Sequence, residues 1–283
     1  MRGAHRWLWA HVAAVVMAAF GLVVLIPYPQ LWVHLPGANY SYRIAMDYAG
    51  PLHMVLGAAA MYAYGAATLG RRKSTIFLVA ATGLSLCFEL LGTGTGWPFG
   101  NYEYLEGLGF RIGGRVPFAI PLSWYYLAFS GYILAAHVVR RVAPAAGEVG
   151  TILLGTWLLT AWDLVLDPAM THPDMPRKFW VWHQPGVYLG MPLANLMGWI
   201  GTGALMMGLS RWLWKEPLPL DAVPPRFPYI VYVSNLAFGA VLCASVGLWW
   251  PIGLAVVAGI APATLAMVGD DDPTPDLVEG PAK

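Results

Sequence analysis

Residues 74–92 read STIFLVAATGLSLCFELLG and follow directly on Arg71-Arg72-Lys73. As an α-helix rising about 1.5 Å per residue, this stretch is long enough to cross a hydrocarbon core of about 30 Å. Inside lipid every backbone N–H and C=O must find a partner within the protein, and a continuous apolar run meets that demand as a helix. Comparable runs occur at residues 7–26, 48–69, 117–139, 149–167, 190–210, 229–249 and 251–268. The fold class expected is therefore all-α, a polytopic integral membrane bundle of about eight transmembrane helices. The number falls to seven if the last two runs, which meet at Trp249-Trp250-Pro251, are one unit.

Composition agrees. Of 283 residues 58% are hydrophobic and only 11% charged, against about 25% charged in soluble domains. Lysine plus arginine total 16 and acidic residues 15, so no basic field exists to hold nucleic acid. Cys87 and Cys243 lie within apolar runs, without redox or metal-ligand spacing, and read as packing residues. The first run follows Arg2 and Arg6 but extends for about 20 residues, longer than a signal-peptide core of about 7–15, and is taken as a helix. Residues 1–268 form one membrane domain; residues 269–283 are expected to be a disordered acidic tail.

Basic residues set the expected orientation. With a cytoplasmic N-terminus, eleven lysines and arginines fall on the inner side of the cell membrane and five on the outer side, the five being Arg43, Arg111, Arg115, Arg177 and Lys178. Two helices separate the long connections at 93–116 and 168–189, so these lie on the same face and can share a site.

Chemistry in such a chain concentrates at carboxyl groups, which are costly inside an apolar helix unless paired or protonated. Thr82, Ser85 and Glu89 form a polar stripe on one helix, and Thr156, Thr160, Asp163 and Asp167 form another. Further stripes are Ser123, Tyr126 and Ser130, and Asn195, Trp199 and Thr202. Glu89 alone would be explained by tying helices together, and Asp167, just before Pro168, by marking a membrane boundary. Convergence of Glu89, Asp163 and Asp167 in one pocket requires some of them to be protonated, which is what an acid catalyst needs. The connections are rich in aromatics: Trp97, Phe99, Tyr102, Tyr104 and Phe110 in the first, with Trp124, Tyr125 and Tyr126 after it, then Phe179, Trp180, Trp182 and Tyr188. Singly these suit an interfacial belt; together they suit the lining for a long apolar, cation-forming substrate. Gly92-Thr93-Gly94-Thr95-Gly96 follows a transmembrane helix, not a strand, and is no nucleotide loop. The seven histidines lack metal spacing, so no metal is expected; His183 is the one histidine placed near the site.

The blocks Glu89–Tyr104 (ELLGTGTGWPFGNYEY), Val116–Trp124 (VPFAIPLSW), Asp163–Met170 (DLVLDPAM), Phe179–Trp182 (FWVW) and Gly186–Trp199 (GVYLGMPLANLMGW) resemble, in order, the central signature of the CruF-type carotenoid biosynthesis family. The resemblance covers about residues 85–205; the flanking helices match only in hydropathy. It implies a membrane hydratase that adds water to the terminal double bond of an acyclic carotenoid end group, giving a tertiary alcohol without any cofactor. Its implied partners are a lipid-soluble carotenoid, membrane lipid and other carotenoid biosynthesis enzymes. On this reading Glu89, deepest in apolar sequence, is kept protonated by desolvation and donates the proton. Asp163 and Asp167 hold and deprotonate the water, Asp163 being preferred as base. The substrate lining is expected to be Trp97, Phe99, Tyr102, Tyr104, Trp124, Tyr126, Trp180, Trp182, Asn195 and Trp199.

Two other functions compete. The spacing Asp163-x-x-x-Asp167 suits magnesium and diphosphate in an intramembrane prenyltransferase, although lysine and arginine for the diphosphate are missing from these helices. A non-catalytic carotenoid carrier is the other, and it has no need of clustered carboxyls. The shared face of the two long connections is testable: single cysteines at Glu106 and Asp174 should both react with an impermeant thiol reagent from one side of the membrane. Labelling from opposite sides would rule out a shared site.

Overall fold

The computed structural model describes residues 1–268; the tail expected at 269–283 lies outside the described residues. Helix α1 spans Arg2–Phe20 and continues as a π-helical turn, Gly21–Leu25. There follow α2 (Ala38–Thr68), α3 (Arg71–Thr95), α4 (Ala119–Val142), α5 (Gly147–Thr171), α6 (Leu193–Trp214) and α7 (Arg226–Ser245). The last helix, α8, starts with Trp249–Leu254 and runs on through a π-helical segment, Ala255–Ile260, to Met267. Six of these, α1, α3, α4, α5, α7 and α8, are long and apolar enough to cross a membrane. The chain is thus an all-α, multi-pass membrane bundle. A turn at Val246–Leu248, with Gly247 in the left-handed region (φ 76°), separates α7 from α8, so the last two apolar runs are distinct helices.

Helix α4 is the axis. It packs on α2, α3, α5, α6 and α7 and is buried almost all round, as a helix apolar on every side must be. The outer helices present Val16, Met17, Val79, Leu153, Met197 and Val257 outward, a surface suited to lipid rather than water. Ion pairs Lys73–Glu216 (3.2 Å), Arg140–Asp221 (2.7 Å) and Arg211–Glu148 (2.9 Å) gather at one end of the bundle. The two long connections lie at the other.

Two helices depart from their hydropathy limits. α2 starts at Ala38, ten residues before the apolar run, because its first turns carry Asn39, Tyr40, Ser41, Arg43 and Asp47 and are invisible to a search for apolar sequence. α5 continues through Pro168 to Thr171, so Asp167 lies within a helix and is buried instead of marking a boundary. A proline inside a helix leaves the carbonyl four residues earlier without its N–H. Here the Tyr188 hydroxyl donates to the Leu164 carbonyl at 2.7 Å. Likewise Trp157 Nε1 donates to the Ala258 carbonyl, four residues before Pro262, at 3.0 Å. Side chains thus restore what the prolines remove, as a low-dielectric interior demands.

The two connections pair with each other. Strand β1 (Tyr102–Tyr104) lies antiparallel to β4 (Trp180–Trp182), with Tyr102 opposite Trp182 and Tyr104 opposite Trp180. Between them in sequence, β2 (Arg111–Ile112) and β3 (Val116–Pro117) form a hairpin across Gly113-Gly114, both at positive φ as a tight hairpin turn requires. Strands of two or three residues are too short to show an alternation in sequence.

The carbonyl capping has a measurable consequence. Tyr188→Phe strands the Leu164 carbonyl in a buried turn and should cost about 1–3 kcal/mol, read as a lowered thermal midpoint in detergent. Tyr28→Phe, at an exposed position, should leave the midpoint unchanged.

Candidate active site

Side chains alternate along a strand, so β1 sends Tyr102 and Tyr104 inward and Glu103 outward, where it meets His183 at 3.3 Å. Trp180 and Trp182 stand beside the two tyrosines on β4. The small sheet thereby delivers four aromatic side chains with polar tips to the ends of α3 and α5.

Two of the three carboxyl groups there, Glu89 and Asp167, are met by them. The Tyr102 hydroxyl donates to Glu89 Oε2, and Tyr104 donates to the same oxygen at 2.8 Å. From α4, Trp124 Nε1 donates to Glu89 Oε1 at 3.0 Å. Asp167 receives Trp180 Nε1 at Oδ1 and Trp182 Nε1 at Oδ2, the latter at 3.2 Å. Asp163 is less engaged: Asn195 Nδ2 donates to Oδ2 at 2.8 Å, and among the described residues Oδ1 has no donor. Burial pushes the Tyr102 and Tyr104 phenols well above the usual tyrosine range, so both stay neutral donors.

These groups surround a cavity of about 60 Å3, room for a few waters. Its lining holds three carboxyl groups and no lysine or arginine. Trp124 and Trp199 stack with centroids 3.7 Å apart, and Trp162 leans on Trp199 at 5.7 Å. Phe99, Tyr102, Tyr104, Trp124, Trp180, Trp182, Asn195 and Trp199 all line the cavity, as do Glu89, Asp163 and Asp167.

Two residues expected in the lining lie elsewhere. Trp97 is exposed, packing on Phe88 (5.9 Å) at the outer surface between α3 and α6. Tyr126 is fully buried but turned away, donating to Asn235 Oδ1 at 2.9 Å. Asn235 donates to His11 Nε2 (3.0 Å) and His11 Nδ1 to the His53 carbonyl (2.8 Å), so Tyr126 belongs to a tie joining α4, α7, α1 and α2. A helical stripe fixes a face only to within a broad sector, and Ser123, on the same stripe, does reach the cavity. His183 stays outside with Glu103. The glycine-rich Gly92–Gly96 segment is the last turn of α3 and its left-handed cap, Gly96.

Trp162 was not foreseen. It lines the cavity, is 6% exposed, and its Nε1 has no partner among the described residues. Its place directly before Asp163 is the one sequence signal pointing to it. Met54, Ile120 and Leu166 complete the apolar wall. Among the described residues no group of three or more His, Cys, Asp or Glu side chains is arranged to hold a metal ion.

The chain is 30% identical over 194 residues to bisanhydrobacterioruberin hydratase of Haloarcula japonica, a match covering 63% of this chain and 64% of that protein. It is 33% identical over 129 residues to heme exporter protein B of Rhodobacter capsulatus, covering 44% of this chain and 55% of the other. It therefore spans less than two thirds of either relative's length. No solved structure matches it. The family of carotenoid biosynthesis proteins matches residues 49–262, a stretch that contains every residue lining the cavity. The chain belongs to the carotenoid biosynthesis protein family.

Proposed function

We propose that the protein is a carotenoid hydratase, adding water across the terminal double bond of an acyclic end group to give a tertiary alcohol. The observation that carries this is the cavity: three carboxyl groups held in an aromatic wall with no cation among them. Alkene hydration needs a proton for the less substituted carbon, a surface that tolerates the tertiary cation, and a water that attacks it and then loses a proton. No electron leaves or enters, so no redox partner is required.

Glu89 is the donor in this scheme, held in one orientation by three hydrogen bonds. The stacked Trp124 and Trp199 faces shelter the positive charge. Asp163, with Oδ1 open, takes the proton of the attacking water, and Asn195 fixes its other oxygen. Asp167, held by two indoles, orients the water with it. The similarity to bisanhydrobacterioruberin hydratase supports the same reaction class. A lining without lysine or arginine disfavours diphosphate chemistry and hence prenyl transfer. The similarity to heme exporter protein B favours a carrier as the second reading; retention of carotenoid by purified protein without conversion would establish it.

Expression in cells that accumulate acyclic-ended carotenoids should yield a product heavier by one water, with oxygen taken from labelled water and under anaerobic conditions. A strict need for dioxygen would overturn hydration in favour of hydroxylation. Glu89→Gln should lower turnover more than about 100-fold, the low end for general acid catalysis, with carotenoid binding kept. Asp163→Asn should also inactivate. Tyr104→Phe removes one of three donors to Glu89 and should cost about tenfold, in line with one hydrogen bond to a carboxyl group. Near wild-type turnover in Glu89→Gln would move the donor's role to Asp163 or Asp167.

A further inference from the structure

The cavity is far too small for a carotenoid, so most of a long substrate must lie elsewhere. On the lipid-facing side α3 and α6 leave the seam between them open in two places. The upper opening, about 430 Å3, includes Phe88, Gly198, Gly201, Thr202 and Leu205. The lower, about 810 Å3, includes Ile76, Ala80, Leu84, Leu209 and Leu213 and ends at Arg71 and Arg72. Both follow one row on each helix at four-residue spacing: 76, 80, 84 and 88 on α3, and 201, 205, 209 and 213 on α6. From Arg72 to Phe88 the row climbs about 24 Å at about 1.5 Å per residue, most of a bilayer core.

Three further observations mark this seam as more than a rough surface. A Cβ added at Gly83 in the lower opening, or at Gly201 in the upper, would meet no atom of a neighbouring element within 4 Å. The glycines thus leave open a channel that ordinary residues would fill. Thr202 lines the upper opening, is 1% exposed, and its hydroxyl has no partner among the described residues. Finally, the seam reaches the catalytic cavity: Phe99 packs on Gly92 of α3 and Gly198 of α6, and the same ring lines the cavity. Phe99 thus lies against Gly198, which borders the upper opening, and also lines the cavity.

We propose that the α3–α6 seam is the bed for the substrate's polyene chain, with the reacting end group turned inward past Phe99 and the far end towards Arg71 and Arg72. The identity of the occupant rests on the hydratase reading. An apolar chain of bilayer length, bound from the lipid side, matches the seam in length, polarity and access, and the two arginines favour a hydroxylated far end over a hydrocarbon one.

The test uses Gly83→Phe and Gly201→Phe, which place a ring in the open space of the seam where a Cβ meets no neighbouring element. Gly253→Phe, on α8 and likewise free of neighbours within 4 Å, is the control. Two quantities are measured on purified protein: retention of a full-length acyclic carotenoid by absorbance, and kcat/KM for that carotenoid and for a short acyclic terpenoid with the same end group. Both channel variants should lose at least about tenfold in retention and in kcat/KM for the long substrate, the scale of lost apolar contact in a pocket. They should hydrate the short one at the wild-type rate, and the control should match wild type throughout. Undiminished retention in the channel variants would overturn the proposal, with a lipid chain as the seam's occupant. An equal loss on the short substrate would overturn it too, since the damage would then lie in the cavity. If wild-type protein retains the carotenoid but hydrates neither compound, the hydratase reading fails, while the retention series still decides the bed.

Discussion

A carboxyl group inside an apolar bundle has to be met by donors that the protein itself supplies, and Glu89 shows how much structure that requirement recruits. Its three donors come from two elements far apart in function, the β1 strand of an outer loop and the central helix α4. To bring Tyr102 and Tyr104 to α3 the loop must fold back over the bundle. It does so as a strand, with alternate residues facing in, and a lone strand leaves its own N–H and C=O groups unpaired. The second loop supplies the pairing as β4, and β4 in turn carries Trp180 and Trp182 to Asp167. The sheet and the buried acids therefore depend on each other.

The same rule extends to the backbone. Prolines at 168 and 262 free carbonyls within α5 and α8, and Tyr188 and Trp157 donate to them. Tyr188 belongs to the second loop, so that loop is fastened to α5 at two levels, by its indoles to Asp167 and by its tyrosine to Leu164. The helix runs past Asp167 in spite of Pro168, the stranded Leu164 carbonyl being met by Tyr188, and that places the acid within the cavity wall instead of at a free end.

Neutral donors, not cations, hold these acids. Arginine or lysine would neutralise a carboxyl group by an ion pair, yet it would also oppose any positive charge developing nearby. Indole and phenol donors orient the carboxyl groups and leave aromatic faces and an open Asp163 oxygen towards the cavity. A carbocation is more easily tolerated in such surroundings than in a cavity rich in basic groups.

The sequence by itself determined that the chain is a helical membrane bundle, because apolar length is a local property, and it identified Glu89, Asp163 and Asp167, because an isolated acid in an apolar run stands out. It also determined that the two aromatic loops share a face, since an even number of helices lies between them. Only the tertiary structure decided which aromatics serve the acids. Tyr126 shares a helical stripe with Ser123, yet donates to Asn235 in another contact, since the direction of a side chain within its sector depends on what packs against it. Trp97 lies two residues before Phe99 in sequence but lines the outer opening between α3 and α6, while Phe99 lines the cavity. Trp162 lines the cavity without belonging to any polar stripe. The pairing of β1 with β4 joins residues almost eighty positions apart through three-residue strands, too short to leave a period in the sequence and fixed instead by the buried carboxyl groups they satisfy.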